Sequence, residues 1–75
     1  MNKLKEYINP KSLKINYINN QLNIVNFKEI NLITDNKIIL LTDNSTICIK
    51  GNNLSLLKLL DYEILISGNI KVIEL

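Results

Sequence analysis

Turn-forming residues recur about every eight positions in this chain, and that beat restricts what it can build. Asn19-Asn20, Lys28-Glu29, Asp35-Asn36, Asp43-Asn44, Gly51 to Asn53, Asp61-Tyr62 and Gly68-Asn69 divide it into short apolar runs. In the first of these, Leu13, Ile15 and Tyr17 alternate with Lys14 and Asn16. A period of two marks a strand with one buried face. Evenly spaced short strands joined by tight turns fold as an antiparallel meander. We therefore expect an all-β domain of about seven to eight short strands over residues 11–75, as a curled sheet, sandwich or partly closed barrel.

The turns differ in chemistry. Asn19-Asn20 suits a two-residue hairpin, because asparagine tolerates the left-handed conformation such loops need. Thr34-Asp35-Asn36 and Thr42-Asp43-Asn44 repeat one motif, in which Asp and Asn side chains bond the local backbone. Gly51 and Gly68 are the only glycines, and each separates two apolar runs. Glycine accepts positive φ without a Cβ clash, so both are expected as turn formers, with Gly68-Asn69 at the tip of a type II′ hairpin.

Three segments need separate treatment. Between Ile24 and Val25 the alternation slips by one residue, which predicts a bulge or bend there. Leu54 to Leu60 fits a short helix capped by Asn53 or a strand with a slip; the continuing beat favours the strand. Ile38-Ile39-Leu40-Leu41 is apolar on both faces, so it must be central and covered twice, or pair with another subunit. Ahead of the domain, residues 1–10 form a short helix stopped by Pro10, with Leu4 and Ile8 on one face, or stay disordered.

Composition removes most chemistry. The chain has no histidine, so every catalytic arrangement that needs an imidazole is excluded. No serine–lysine spacing singles out a nucleophile, and the carboxylates fall in turns without calcium-loop spacing. With two separated glycines, no phosphate-cradling loop can be written, and we expect no enzyme and no cofactor or metal. Cys48 stands alone between Ile47 and Ile49, which excludes an internal disulfide and points to a buried, inert thiol in a reducing cytoplasm. No apolar stretch approaches the roughly 20 residues of a membrane span. A formal charge of +2 is too small to call for a nucleic-acid partner, although residues 1–28 are lysine-rich and the remainder slightly acidic. A small nucleic-acid-binding β-barrel is the alternative reading, and against it stand the lack of arginine and of a row of stacking aromatics.

Ile47-Cys48-Ile49-Lys50-Gly51-Asn52-Asn53-Leu54, then Leu57 and Leu60, then Ile64 to Ile73 around Gly68-Asn69, resemble the ending of the YabP/YqfC family of sporulation proteins. Leu22 to Phe27 and the run to Leu41 look like the YqfC branch of that family. The resemblance covers roughly residues 13–75 and rests on spacing and two glycines. It implies a non-enzymatic protein of the mother-cell cytoplasm in endospore-forming bacteria, acting through protein–protein contacts. It also implies a protein partner, either a YqfD-like membrane protein that would hold it at a membrane or further copies of itself. At 75 residues a single core is barely large enough to stand alone, which favours such a partner.

Overall fold

The computed structural model describes residues 12–75. The expectation of a short helix or disorder over residues 1–10 lies outside the described residues. Six strands follow one another: β1 (Lys14–Ile18), β2 (Gln21–Val25), β3 (Glu29–Ile33), β4 (Lys37–Leu41), β5 (Thr46–Leu59) and β6 (Glu63–Glu74). They form one antiparallel sheet in the order β1-β2-β6-β5-β4-β3, curled but not closed, since β1 and β3 remain as its two ends. No helix occurs among the described residues. All eight expected apolar segments are extended, including Leu54 to Leu59, but they make six strands because two pairs of them run together.

That merging corrects the reading of the glycines. Gly51 lies inside β5 and Gly68-Asn69 inside β6, so none of the three makes a hairpin turn. Instead, both strands bend there. Gly51 pairs with Ile70, Asn52 with Asn69 and Ser55 with Ser67, with bulges after Lys50 and after Asn52. The backbones approach so closely that a Cβ on Gly51 would strike the carbonyl oxygen of Asn69, and one on Gly68 would sit 2.5 Å from that of Asn53. Gly68 also holds φ at 125°, where an L side chain is strained. Apolar runs on both sides of a glycine look alike in sequence whether the chain reverses or bends, and here it bends.

The bend divides the sheet into two halves. In the first, β2 pairs with the early part of β6, which pairs with the late part of β5. In the second, the late part of β6 pairs with the early part of β5, and β4 and β3 follow. Leu22, Ile24, Ile64 and Ile66 from the first half and Ile38, Leu40, Ile47 and Ile49 from the second are wholly buried in one cluster, joined by Phe27 and Leu54. Each of these residues alternates with an outward neighbour, as a pleated strand requires. Fully burying an aliphatic side chain contributes about 1.5–3 kcal/mol, so this shared cluster is the main source of cohesion.

The connections follow the turn chemistry more closely. Asn19 and Asn20 have φ of 53° and 62°, the pair of left-handed residues that a type I′ turn demands, and Ile18 pairs with Gln21. At Asp35-Asn36 and Asp43-Asn44 the turns form as expected, but the threonine hydroxyls close them. Thr34 Oγ1 accepts from the Lys37 amide at 2.9 Å, and Thr42 Oγ1 accepts from the Ser45 amide at 3.0 Å. The slip near Ile24 is absorbed later than its position suggests. Register stays regular through Val25, and Asn26, at φ 72°, turns the chain so that Phe27 rejoins the core. The Asn26 amide donates to Tyr62 O at 2.6 Å and the Lys28 amide to Leu41 O at 2.7 Å, which carries the chain from one half to the other.

Outside the core, the first half is held in register by polar pairs. Asn23 Nδ2 donates to Glu63 Oε2 at 2.9 Å, Lys58 Nζ lies 3.3 Å from the same oxygen, and the Ser55 and Ser67 hydroxyls meet at 2.9 Å. The bond from Asn23, and then Lys58, hold the Glu63 carboxyl below its usual range. A carboxyl depressed in the folded state stabilises the fold above its unfolded value, and that contribution is lost as pH falls through the folded value. Glu63→Gln should therefore lower the melting temperature slightly at neutral pH, and the gap from the parent should close in acid below the ordinary glutamate range. Thermal melts at both pH values check this. Gly68→Ala should cost about 2–4 kcal/mol through strained φ and the collision with Asn53. Exposed Asn52→Ala next to the same bend should stay within about 0.5 kcal/mol. Urea or thermal unfolding followed by circular dichroism separates the two.

Candidate interaction surface

Cross-strand neighbours point to the same side of a sheet, so the registers define two outer faces. On the first half the outer face carries Asn16, Asn23, Leu65 and Lys58 in one row, with Lys14, Val25 and Glu63 on one side and Ile18, Gln21, Ser67 and Ser55 on the other; Ile18 is 58% exposed. Most of these groups are polar, and several are paired with one another as described. Such a face is suited to water.

The outer face of the second half has a different character. Leu32 pairs with Ile39, Ile39 with Cys48 and Cys48 with Glu74, which places Leu32, Ile39 and Cys48 in one row across three strands. On one side of that row stand Lys37, Lys50 and Val72; on the other stand Glu29, Leu41 and Thr46. Leu32 and Val72 are 40% and 44% exposed. Ile39, Leu41 and Cys48 are half-buried by their neighbours on the sheet. Lys50 Nζ lies 3.2 Å from Glu74 Oε1 at the end of the row.

This is where the doubly apolar run emerges. β4 is central, flanked by β3 and β5, and its Ile38 and Leu40 fill the core. Its other side, Ile39 and Leu41, belongs to the outer face, and among the described residues no further strand lies over it. Cys48 sits beside Ile39 on this same face and is half-buried rather than buried, which corrects its expected place in the core. Leu32 joins the row through a bulge between Ile30 and Leu32, which leaves Ile30 facing the core and turns Leu32 outwards. No composition signal distinguishes Leu32 from its neighbours, so its place in the row could not be read in advance.

A second apolar feature lies at the open side of the curl. Phe27, Ile30, Leu59 and Leu60, with Lys28, Glu29 and Asp61, line a cleft of about 460 Å³. Leu57 and Tyr62 add further exposed apolar surface near the end of β5, at 53% and 55% exposure. Among the described residues no three acidic or cysteine side chains are grouped to hold a metal ion.

The residues singled out in the sequence fall into two groups. Asp35, Asn36, Gly51, Gly68 and Asn69 converge at the bend. There the Gly51 amide donates to Asn36 O at 3.1 Å and the Leu54 amide to Asp35 O at 2.7 Å, beside the Gly51–Ile70 and Asn52–Asn69 pairs. The β3–β4 turn thus satisfies backbone donors that the bend takes out of the regular ladder. Asp43 and Asn44 lie apart, in the β4–β5 turn, beside Ser12, Leu13 and Asn26. Asp43 comes within 4.0 Å of Lys28, an exposed pair of little energetic weight. The role of all seven residues visible in this geometry is architectural, and the two outer faces carry the contrast in chemistry.

No helix of the described residues is long and apolar enough to cross a membrane. No curated protein and no solved structure matches the chain. The model of the YabP family matches residues 9–75, which spans every described strand and both glycine bends. By that match, the chain belongs to the YabP family.

Proposed function

We propose that this sporulation-associated protein works without catalysis, as a binding module whose working surface is the outer face of the second half of the sheet. The observation that carries the reading is the unlike character of the two outer faces. On one, polar groups that pair among themselves surround Ile18, Val25 and Leu65; on the other, Leu32, Ile39, Leu41, Cys48 and Val72 stand side by side, with Leu32 and Val72 exposed and the rest half-buried. Contiguous exposed apolar surface on a small protein marks a site of association. Its place of action would be the mother-cell cytoplasm. A YqfD-like membrane protein is the partner class that a YqfC-like relationship suggests, and it would bring the chain to a membrane.

Nucleic-acid binding gains no support from the surface. Phe27 is in the core, and Lys37 and Lys50 share their face with Glu29 and Glu74. A basic groove with stacking aromatics is what such binding uses.

The test is complementation of a spore-forming strain from which the gene has been removed. Ile39→Lys, confirmed as folded by circular dichroism, should fail to restore heat-resistant spores. Asn16→Lys on the polar outer face should restore them. Equal rescue by both would overturn the assignment of the surface, and full spore yield in the deletion strain would overturn the sporulation role.

A further inference from the structure

The cleft at the open side of the curl lies beside Ser12. Asn26 Nδ2 donates to Ser12 O at 2.7 Å, and the Asn26 amide donates to Tyr62 O. Phe27 and Lys28, which follow Asn26, line the cleft, as does Asp61, which precedes Tyr62. The chain ahead of Ser12 therefore enters the sheet next to this cleft. We infer that the cleft is the docking site of the chain's own amino-terminal segment, residues 1–10, with Leu4 and Ile8 as the side chains that fill it.

The cleft has the chemistry for that occupant. Ile30 pairs with Leu40 and Leu59 with Ile64, so both point to the interior side of the sheet, where the core runs out into the cleft. Leu59 and Leu60 are 49% and 47% exposed, and a small protein rarely leaves such neighbouring apolar groups uncovered. The charged groups of the lining are Glu29, Asp61 and Lys28, and Lys28 lies 4.0 Å from Asp43. The cleft therefore presents a surplus of negative charge. Residues 1–10 carry Lys3 and Lys5 against Glu6, on either side of Leu4 and ahead of Ile8. Apolar groups thus meet an apolar lining, and lysines meet Glu29 and Asp61.

Tethering selects this occupant over an independent protein. Leu4 is eight residues from Ser12 and Ile8 is four. At up to about 3.3 Å per residue, both reach a cleft that begins one residue beyond Asn26. A segment held so near is present at an effective concentration in roughly the millimolar range, which a separate partner would have to exceed. Apart from Glu29, no residue of the cleft belongs to the outer face of the second half, so this inference stands independently of the working surface proposed there.

Disulfide trapping in the full chain tests the contact, with Cys48→Ser removing the native thiol. Under oxidised glutathione, Leu4→Cys with Leu59→Cys should close an intrachain disulfide about tenfold faster than Leu4→Cys with Ile18→Cys, at the far end of β1. In the otherwise native sequence, Leu59→Asp should speed tryptic cleavage after Lys5 about tenfold, with circular dichroism unchanged. Asp61→Lys should speed it in the same direction. Equal rates for the two cysteine pairs, a disulfide that joins two chains instead of closing within one, or cleavage after Lys5 that ignores Leu59→Asp would each overturn the docking. The cysteine pairs keep the test decisive should Leu59→Asp fail to fold.

Discussion

Everything in this molecule depends on how closely two backbones pass each other where β5 and β6 bend. At Gly51 and Gly68 the space that a Cβ would need is already taken by the carbonyls of Asn69 and Asn53. Because neither residue has a side chain, both strands can change direction together and remain paired with each other on either side of the bend. The apolar side chains before and after it then face a common interior, and eight of them are completely excluded from water. A hairpin at the same positions would have produced separate short strands with no element common to both halves. The continuous pair is what allows so short a chain to enclose a core.

The extended segments were legible in the sequence, but their connections were not. Period-two alternation and the beat of turn residues mark all eight apolar runs, and Asn19-Asn20 announces its hairpin through two residues that tolerate positive φ. Gly68-Asn69 carries an equally good hairpin signal and makes none, because local chemistry reports only that the backbone needs freedom. Whether that freedom serves a reversal or a bend depends on Asn53, fifteen residues earlier, also at positive φ. Non-local pairing of this kind has no local signature. The same is true of Asn23 and Glu63, whose bond spans forty residues of chain. Asn26 shows a milder case: the slip in alternation is visible, but the residue that resolves it lies just beyond the strand end.

The functional surface was half visible. Four consecutive apolar residues, Ile38 to Leu41, signal that one strand has apolar chemistry on both sides, and the structure divides them evenly between core and exterior. What turns that signal into a surface is the recruitment of Leu32 by the bulge in β3 and of Cys48 by register, and neither can be deduced without knowing which strands are neighbours. The residues that stood out in the sequence, the glycines and the Asp-Asn turns, build the frame. Those that face outward on the second half stood out less, since an isoleucine on an outer face is written like one in the core.

The pairing of β2 with β6 has a consequence for biosynthesis. The partner that buries Leu22 and Ile24 is made some forty residues after them, and the β1–β2 hairpin has no neighbour in the sheet other than β6. A two-stranded hairpin alone is marginal in water. During translation the early strands therefore emerge with their apolar side chains uncovered and must wait for the arrival of β6. The β1–β2 half of the sheet is thus committed to forming only after β6 has been made.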